Sequence, residues 1–425
     1  MKLITTFLAG ALCVGTFAQE VKRCYTHEAM LHQEELTPGY LQSVDEVFYR
    51  AKEIGTQDRA TVYTIPVVVH IVYKTPEENL ADSIIFNQIE ELNRAFRRLN
   101  ADTVNMRLDF APIVGDSYIQ FELATTDPDG NPTNGITRTL TTHDSFLGVG
   151  GSPAEGVKST AEEGIDPWNQ ADYLNIWVCN MTFLGSPFIL GYATPPNNLS
   201  HWPPGSSDNL SDGVVIEYEV FGANNPNTID MGSGPMDILG RTCVHEVGHY
   251  LGLRHIWGDG DCTAEDGIDD TPNADDQSNF DCDTTKNTCL DAIGTLGDLP
   301  DMVENYMDYS AETCQNSFTI GQADMMRSIL ENERYELING TPALSVQENK
   351  VYDFGMYPNP SNGEVKLSAI PQEVELISVF SETGQVVYRK AVNSSDVMIS
   401  GLSKGLYIVQ LSGVNGTTNE KLIVL

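Results

Sequence analysis

The order of apolar and polar positions divides the chain into a short apolar start, a polar stretch, a long mixed region and an alternating end. Residues 3–18 form an apolar run that follows Met1-Lys2 and ends in small residues, which is typical of a secretory signal peptide over 1–18. Residues 19–58 are polar and partly helical in pattern. No other run is long and apolar enough to span a membrane, so we expect an exported protein without a membrane span.

The mixed region, 59–339, alternates buried strands with helices. Residues 65–73 are a continuous apolar run that suits a buried strand, and residues 84–99 repeat apolar positions at helical spacing. This alternation predicts an α/β unit with a twisted, mainly parallel sheet and two long helices. The remaining predicted elements are strands at 119–125, 173–179, 190–193 and 214–218 and a second long helix at 237–252.

The chain ends in a different pattern. Residues 340–351 are polar and contain Pro342, which indicates a linker. Residues 352–425 alternate apolar and polar positions in short runs, separated by Gly and Asn. Such runs predict a small all-β sandwich as a second unit.

The second long helix and the residues just after it contain a candidate metal site. His245, Glu246 and His249 are followed by Gly252 and His255. Histidines at i and i+4 share one helical face, so both can bind one metal ion, and Glu246 lies close enough to act as a general base. Gly252 can adopt the left-handed conformation that ends a helix and returns the chain, with His255 as the third ligand. The alternative is a surface helix on which histidines coincide.

Three protein ligands leave a position open, which is the arrangement of a catalytic zinc.

The formal charge of −36, from 60 acidic and 24 basic residues, disfavours nucleic acid and anionic membranes as partners and favours calcium. Removing the signal peptide leaves seven of the eight cysteines, so at least one thiol is unpaired.

The histidine motif resembles the long zinc motif of the metzincin metallopeptidases. That resemblance implies a zinc cleft above a methionine-containing turn, and Asn305–Tyr309 looks like this turn. Met307 is then the hydrophobic floor of the site. Tyr309 is expected to approach the zinc or the developing oxyanion, and the alternative is a buried tyrosine with another partner.

Further segments look like the bacterial branch of the pappalysin family within that clan, over about 24–337. They are Leu174–Val178, Leu190–Ala193, Gly240–Thr242 and Phe318–Gln322. The resemblance implies a metzincin-type catalytic domain at 59–339, preceded by a pro-segment at 19–58. It also implies an edge strand that pairs with an extended substrate through Leu190, Gly191, Tyr192 and Ala193.

Four cysteines follow the zinc motif, and sequence alone leaves three connectivities open. The family pattern implies the pairs Cys262–Cys289 and Cys282–Cys314. Cys24 resembles the family's pro-segment cysteine, which binds the zinc of the latent precursor, although Tyr25 stands where the family usually has glycine. The alternative is a disordered or disulfide-linked thiol.

The acidic loop after the zinc motif lacks the start of an EF-hand but resembles the family's calcium loop. Its oxygen ligands are expected to include Asp266, Asp269 and Thr271. A solvated acidic loop is the alternative.

The C-terminal unit resembles the sorting domain of type IX secretion substrates, from its Pro-Asn-Pro opening to its Lys-Leu-Ile-Val ending. The resemblance implies type IX secretion machinery as a partner and a secreted or cell-surface location. An accessory β-module for carbohydrate or protein binding is the alternative.

We therefore expect a secreted zinc endopeptidase that acts on proteins or peptides. Glu312 is expected to line the pocket for the residue after the scissile bond and to pair there with Arg or Lys. The alternatives are a solvated Glu312 beside an apolar pocket and, for the whole chain, a catalytically inactive metal-binding adhesin or binding module.

Overall fold

A computed structural model describes the chain as two compact units, Met1–Ala343 and Leu344–Leu425. The division falls within the predicted linker, although residues 340–351 themselves lie outside the described residues, as does the predicted signal peptide. No helix in the described part of the chain combines the length and apolarity needed to cross a bilayer. The described residues are 21–57, 59–147, 155–183, 186–199, 211–230, 234–339, 354–381, 386–392, 394–413 and 416–425.

The first unit is built on a six-stranded sheet. The strand order is β2-β1-β4-β8-β7, and β3 pairs with the second half of β1, beyond β2. All pairs are parallel except β7–β8, which is antiparallel. The strands are β1 (Tyr63–Tyr73), β2 (Ile119–Leu123), β3 (Ile136–Leu140), β4 (Leu174–Cys179), the short hairpin β5 (Thr182–Phe183) and β6 (Ser186–Pro187), β7 (Gly191–Ala193) and β8 (Val214–Glu217).

Helices cover this sheet and close its edges. α3 and α4 pack against each other, α4 also packs against β7, and α2 packs against α5. Strand β1 is buried along almost its whole length because helices cover it, which is why its sequence is a continuous apolar run. The helices are α1 (Thr26–Leu36), α2 (Tyr40–Ile54), α3 (Asp82–Phe96), α4 (Arg241–Tyr250), α5 (Ile320–Asn332) and α6 (Tyr335–Asn339).

The predicted α/β class with a mainly parallel sheet is confirmed, and several elements were missed, among them β3, α5, α6 and the short hairpin of β5 and β6. Strand β3 is half exposed and polar, so its sequence lacks an apolar run. Helix α5 had a readable signal, because Thr319 and Gln322 form a capping box at its start. The zinc-motif helix is shorter than expected, since α4 begins after Gly240, whose φ is +73°.

The second unit is all-β, as predicted. One sheet has the order β13-β10-β9 and the other β12-β11-β14-β15, and apolar residues of both sheets share one core. This arrangement is a β-sandwich. Its strands are β9 (Gly355–Tyr357), β10 (Glu364–Ser368), β11 (Val374–Ser381), β12 (Val386–Ala391), β13 (Val397–Ser400), β14 (Gly405–Gly413) and β15 (Gly416–Val424).

Candidate functional site

Three histidine side chains converge beside the sheet edge. His245 and His249 lie on one face of α4, and their Nε2 atoms are 3.1 Å apart. The Nε2 atom of His255 approaches that of His249 to the same distance, 3.1 Å. All three side chains are buried.

The turn after α4 brings His255 back to the helix. Gly252 has φ +89°, its N–H donates to His249 O at 2.9 Å, and Leu253 N–H donates to Gly248 O at 2.9 Å. This pair of bonds is a Schellman motif around a left-handed residue. A Cβ at Gly252 would lie 2.9 Å from Ile329 Cγ1, so both conformation and space require glycine here.

The outer nitrogens of the histidines fix their tautomers. His245 Nδ1 lies 2.7 Å from Tyr306 O, and His249 Nδ1 lies 2.9 Å from Leu253 O. His255 Nδ1 lies 2.6 Å from the carboxylate of Asp259. These oxygens only accept hydrogen bonds, so each Nδ1 carries the proton and each neutral ring turns an Nε2 lone pair inward.

Lone pairs that face one another at this separation repel unless a cation lies between them. Nitrogen ligands of a tetrahedral zinc, each about 2.0–2.1 Å from the ion, are about 3.3 Å apart, so the cluster fits that ion. Burial also lowers the pKa of His249 to about 3, which favours the neutral form that binds metal.

Cys24, from the predicted pro-segment, completes the cluster. Its Sγ and the three imidazole nitrogens all lie within 4.8 Å of one another, and the side chain is 1% exposed. Burial and the neighbouring Glu246 raise the pKa of this thiol in the absence of metal. The odd cysteine is therefore neither solvent-exposed nor part of a disulfide.

Glu246 faces the same point from α4. Its Oε2 lies 3.4 Å from Cys24 Sγ and accepts a hydrogen bond of 2.9 Å from Thr26 Oγ1. Burial raises the pKa of the carboxyl to about 8. A Cβ at Gly191 would lie 2.8 Å from Glu246 Cγ, so the small residue in β7 makes room for this side chain.

Met307 and Tyr309 both lie close to the histidines. Met307 is fully buried beneath α4, where a Cβ at Gly248 would meet its Sδ at 2.5 Å. The ring of Tyr309 is 5.6 Å from that of His245 between centroids, and its hydroxyl donates to Cys24 O at 3.2 Å. Tyr309 thus contacts the residue that faces the cluster.

The segment leading to Cys24 runs along the edge of the sheet. Lys22 N–H donates to Phe188 O at 2.8 Å, Leu190 N–H to Lys22 O at 3.0 Å and Tyr25 N–H to Gly191 O at 2.9 Å. The pairing between Lys22 and Ile189 is parallel. This edge therefore binds an extended chain through its main chain.

Residues 190–193 do not all face this segment. Leu190 and Gly191 bond its main chain, and Ala193 N–H donates to Thr26 Oγ1 at 2.9 Å. All of 191–193 pair with β8, but the side chain of Tyr192 is buried beside Lys158, away from this segment. The alternation of a strand explains why Tyr192 faces away.

Glu312 is fully buried, so it is not a solvated loop acid. Its carboxylate accepts the N–H groups of Leu239 and Arg241 and, at 2.9 Å each, the N–H and hydroxyl of Thr242. A carboxylate there accepts hydrogen bonds from otherwise unpaired N–H groups at the start of α4 and interacts favourably with the positive end of the helix dipole. The expectation that Glu312 lines a substrate pocket did not include this role at the start of α4.

A basic side chain nevertheless lies beside Glu312. Arg23, directly before Cys24, is 1% exposed, and its guanidinium is 3.7 Å from the Glu312 carboxylate. It donates to Ser310 O and, at 2.8 Å, to Gln315 Oε1. The guanidinium of Arg23 thus donates directly to a main-chain carbonyl and to a side-chain amide oxygen, and not to the Glu312 carboxylate.

The sequence interpretation missed Thr26, Asp259 and Gln315. Asp259, four residues after His255, had a readable signal as a nearby carboxylate that can orient a metal ligand. Arg23 and Gln315 are 292 residues apart, so no local pattern connects them.

Asp266, Asp269 and Thr271 line one cavity, but their side chains differ in burial and in partners. Asp266 and Thr271 are buried and line one cavity together with Asp291, and each of the three has a buried oxygen without a hydrogen-bond partner among the described residues. Such oxygens suit a hard cation. The side chain of Asp269, by contrast, is 88% exposed and pairs with Lys52 Nζ at 2.6 Å, so its carboxylate faces solvent.

Both predicted disulfides are present, and they cross-link the loops between α4 and α5. Cys262 bonds to Cys289, and Cys282 bonds to Cys314. Cys179 and Cys243 are free and buried.

An α/β sheet whose edge binds an extended chain, above a buried three-histidine cluster with an adjacent glutamate and an underlying methionine, defines a metallopeptidase of the metzincin type. Residues 160–331 match the family described as pregnancy-associated plasma protein-A, and residues 355–425 match the secretion system C-terminal sorting domain.

Solved structures extend this likeness. Promirolysin from Tannerella forsythia, solved as a mutant, is 36% identical, with a TM-score of 0.61 over 74% of this chain and 97% of that chain. Mature mirolysin, solved with a cleaved peptide, is 39% identical, with a TM-score of 0.56 over 66% of this chain and 96% of that chain. The chain belongs to the pappalysin family of metallopeptidases.

Curated relatives are fungal extracellular metalloproteases. One from Arthroderma benhamiae is 33% identical over 44% of this chain and 55% of its own length, and one from Colletotrichum graminicola is 28% identical over 73% and 90%. The chain spans about half the length of the first curated relatives it matches. The sorting domain and the extracellular relatives identify a secreted or cell-surface protein.

Proposed function

We propose that this protein is a zinc-dependent endopeptidase, exported as a latent precursor, that cleaves proteins or peptides before Arg and, less efficiently, before Lys. The observation that carries the proposal is the convergence of three neutral imidazoles beside a buried glutamate. A binding module needs no base at this position. Glu246 therefore favours an enzyme over a metal-binding adhesin.

The residues around the cluster divide the work of hydrolysis. The three histidines would hold a zinc ion, which would supply Lewis acidity for the scissile carbonyl and for a water molecule. Glu246 accepts the proton of the attacking water and returns it to the leaving amine. The hydroxyl of Tyr309, once released from Cys24 O, donates to the oxygen of the scissile carbonyl.

The preference for Arg rests on Arg23. Its guanidinium donates to two acceptors in different directions, Ser310 O and Gln315 Oε1, and lies in the field of Glu312. A planar guanidinium presents several donors at once, whereas an ammonium group is a compact point charge. We therefore expect a substrate Arg to bind this pocket better than Lys.

Latency is assigned to Cys24 and the residues around it. Thiolate is a strong zinc ligand, and Cys24 lies where a substrate would react. The segment that carries Cys24 also pairs parallel to the sheet edge, and Thr26 and Tyr309 hold this segment by further hydrogen bonds. The pro-segment thus blocks both the metal and the base.

Two further parts of the proposal concern export and calcium. The sorting domain supports recognition by type IX secretion machinery. The unpartnered oxygens of Asp266, Thr271 and Asp291 support a structural calcium ion. Asp269 contributes at most its main chain, because its carboxylate pairs with Lys52.

The test compares the processed wild type with Glu246→Ala on casein, with and without a zinc chelator. We expect the wild type to lose activity on chelation and regain it with zinc. The variant should keep one zinc per chain and lose about 10²–10⁴-fold in kcat. Zinc-replete Glu246→Ala with wild-type turnover would remove Glu246 from the mechanism, and chelator-insensitive hydrolysis would remove the metal.

A further inference from the structure

The three histidines of the cluster are not held alike. The Nδ1 atoms of His245 and His249 face neutral main-chain carbonyls, at 2.7 Å and 2.9 Å. That of His255 faces a carboxylate, with Asp259 Oδ1 at 2.6 Å. A charge-assisted hydrogen bond is shorter and stronger than a neutral one, so His255 has the strongest partner of the three.

His255 also needs that partner most. His245 and His249 are anchored within α4, whereas His255 lies in the irregular segment that follows the Gly252 turn. The ring of Trp257 stacks on His255, with centroids 4.3 Å apart and planes 7° apart, which restrains the ring plane. Stacking leaves rotation within that plane free, and the bond to Asp259 fixes it.

The backbone at Asp259 departs from ordinary conformations to make this contact. Its φ is +57°, a left-handed value that costs energy for a residue with a side chain. The preceding Gly258 is also left-handed, with φ +59°. Two successive left-handed residues turn the chain back so that Asp259 reaches the third histidine.

We propose that Asp259 is a positioning residue for the metal centre, which orients His255, holds its proton on Nδ1 and makes its Nε2 a stronger metal ligand. The inference rests on the proposed metal site. The bond uses one carboxylate oxygen, while the other lies 3.3 Å from His27 Nδ1 in the pro-segment. The hydrogen bond to His255 itself involves no atom of the pro-segment.

The experiment measures zinc affinity by competition with a chromophoric chelator in the full-length chain. Asp259→Asn keeps the shape of the side chain and removes its charge. Loss of such a partner weakens metal binding by about 10–100-fold, and we expect a rise of that size in the zinc dissociation constant. Asp261→Asn is the matched control, because Asp261 lies on the same loop and its carboxylate bonds only Thr263 among the described residues.

A purely structural role predicts a different result. It would lower the melting temperature of the metal-free Asp259→Asn protein, which we expect to match that of the metal-free wild type. Equal zinc affinities of Asp259→Asn, Asp259→Ala and the wild type would overturn the proposal. A wild type that binds no zinc would instead overturn the proposed function.

Discussion

Cys24 and the three histidines approach the same point from two sides, and the two sides are held differently. The histidines are fixed by a helix, a Schellman turn and three short Nδ1 contacts, all within 241–306. Cys24 is held from the pro-segment by main-chain pairing with the sheet edge and by Thr26 and Tyr309. In the proposed precursor the histidine side is permanent, and the Cys24 side leaves with the pro-segment when the chain between them is cleaved.

The difference explains how one cluster can serve two states. With four ligand atoms within 4.8 Å the cluster is closed, as structural zinc sites are, and with three it is open, as catalytic sites are. The permanent side stays rigid in both states because Met307 and the core lie directly beneath it. Removing the pro-segment changes the coordination without rebuilding the site.

The largest expected effect comes from removing the thiol. In Cys24→Ala the precursor should hydrolyse peptides and process itself sooner, with about a tenfold gain in activity for each 1.4 kcal/mol of latent-state stability lost. Cys179→Ala is the control, since Cys179 is also a free buried thiol but lies in β4. Activity of the intact precursor over time checks this. Unchanged latency in Cys24→Ala would assign the block to the rest of the pro-segment.

A smaller effect is expected in the pocket that Arg23 fills. Gln315→Met removes a direct acceptor of the guanidinium and the hydrogen bond from Gln315 Nε2 to Asp308 O, and leaves in place the Glu312 carboxylate at the start of α4. A hydrogen bond to a charged group contributes about 1.5–3 kcal/mol, so kcat/KM for peptides with Arg after the cut should fall about 10–100-fold. Peptides that differ only in this residue, Arg, Lys or Leu, provide the measurement. A wild type that prefers Leu would show that Arg23 does not mimic a substrate.

A second substitution in the pocket that Arg23 fills is at Glu312. Glu312→Ala should lose the Arg preference and also lower stability, because four donors at the start of α4 lose their acceptor. A Glu312→Ala protein with wild-type stability would contradict the capping role. Retention of the Arg preference would leave the pocket to Gln315 and Ser310 alone.

The smallest expected effect lies away from the cleft. Calcium titrated into zinc-saturated, calcium-depleted protein should raise the melting temperature by about 4–5 °C at a hundredfold excess over its dissociation constant. Asp266→Asn should abolish the rise, and Asp283→Asn, on the exposed part of the acidic region, should preserve it. No response in the wild type would indicate that the oxygens of Asp266 and Thr271 bind no calcium.

Local patterns predicted the permanent side of the site well. The histidine spacing, Gly252 and the methionine turn each depend on a few neighbouring residues, so periodicity and turn chemistry identify them. The sheet class followed from apolar runs in the same way. Helix α5 was not predicted, although its capping box is a local signal of the same kind.

The parts that the sequence did not predict depend on distant contacts. The carboxylate of Asp269 pairs with Lys52 of α2 at 2.6 Å, a contact that depends on where α2 packs. Glu312 bonds the start of α4 some 70 residues earlier, and Arg23 meets Gln315 across 292 residues. Such contacts are set by the fold as a whole.

We propose that Cys24 adds a removable fourth ligand to a permanent three-histidine site, and X-ray absorption at the zinc edge of the full-length precursor measures those ligands. We expect one sulfur at about 2.3 Å and three nitrogens at about 2.0–2.1 Å, with the sulfur lost in Cys24→Ala. A wild-type precursor whose zinc has only nitrogen and oxygen neighbours, or a Cys24→Ala precursor that keeps the sulfur, would contradict it.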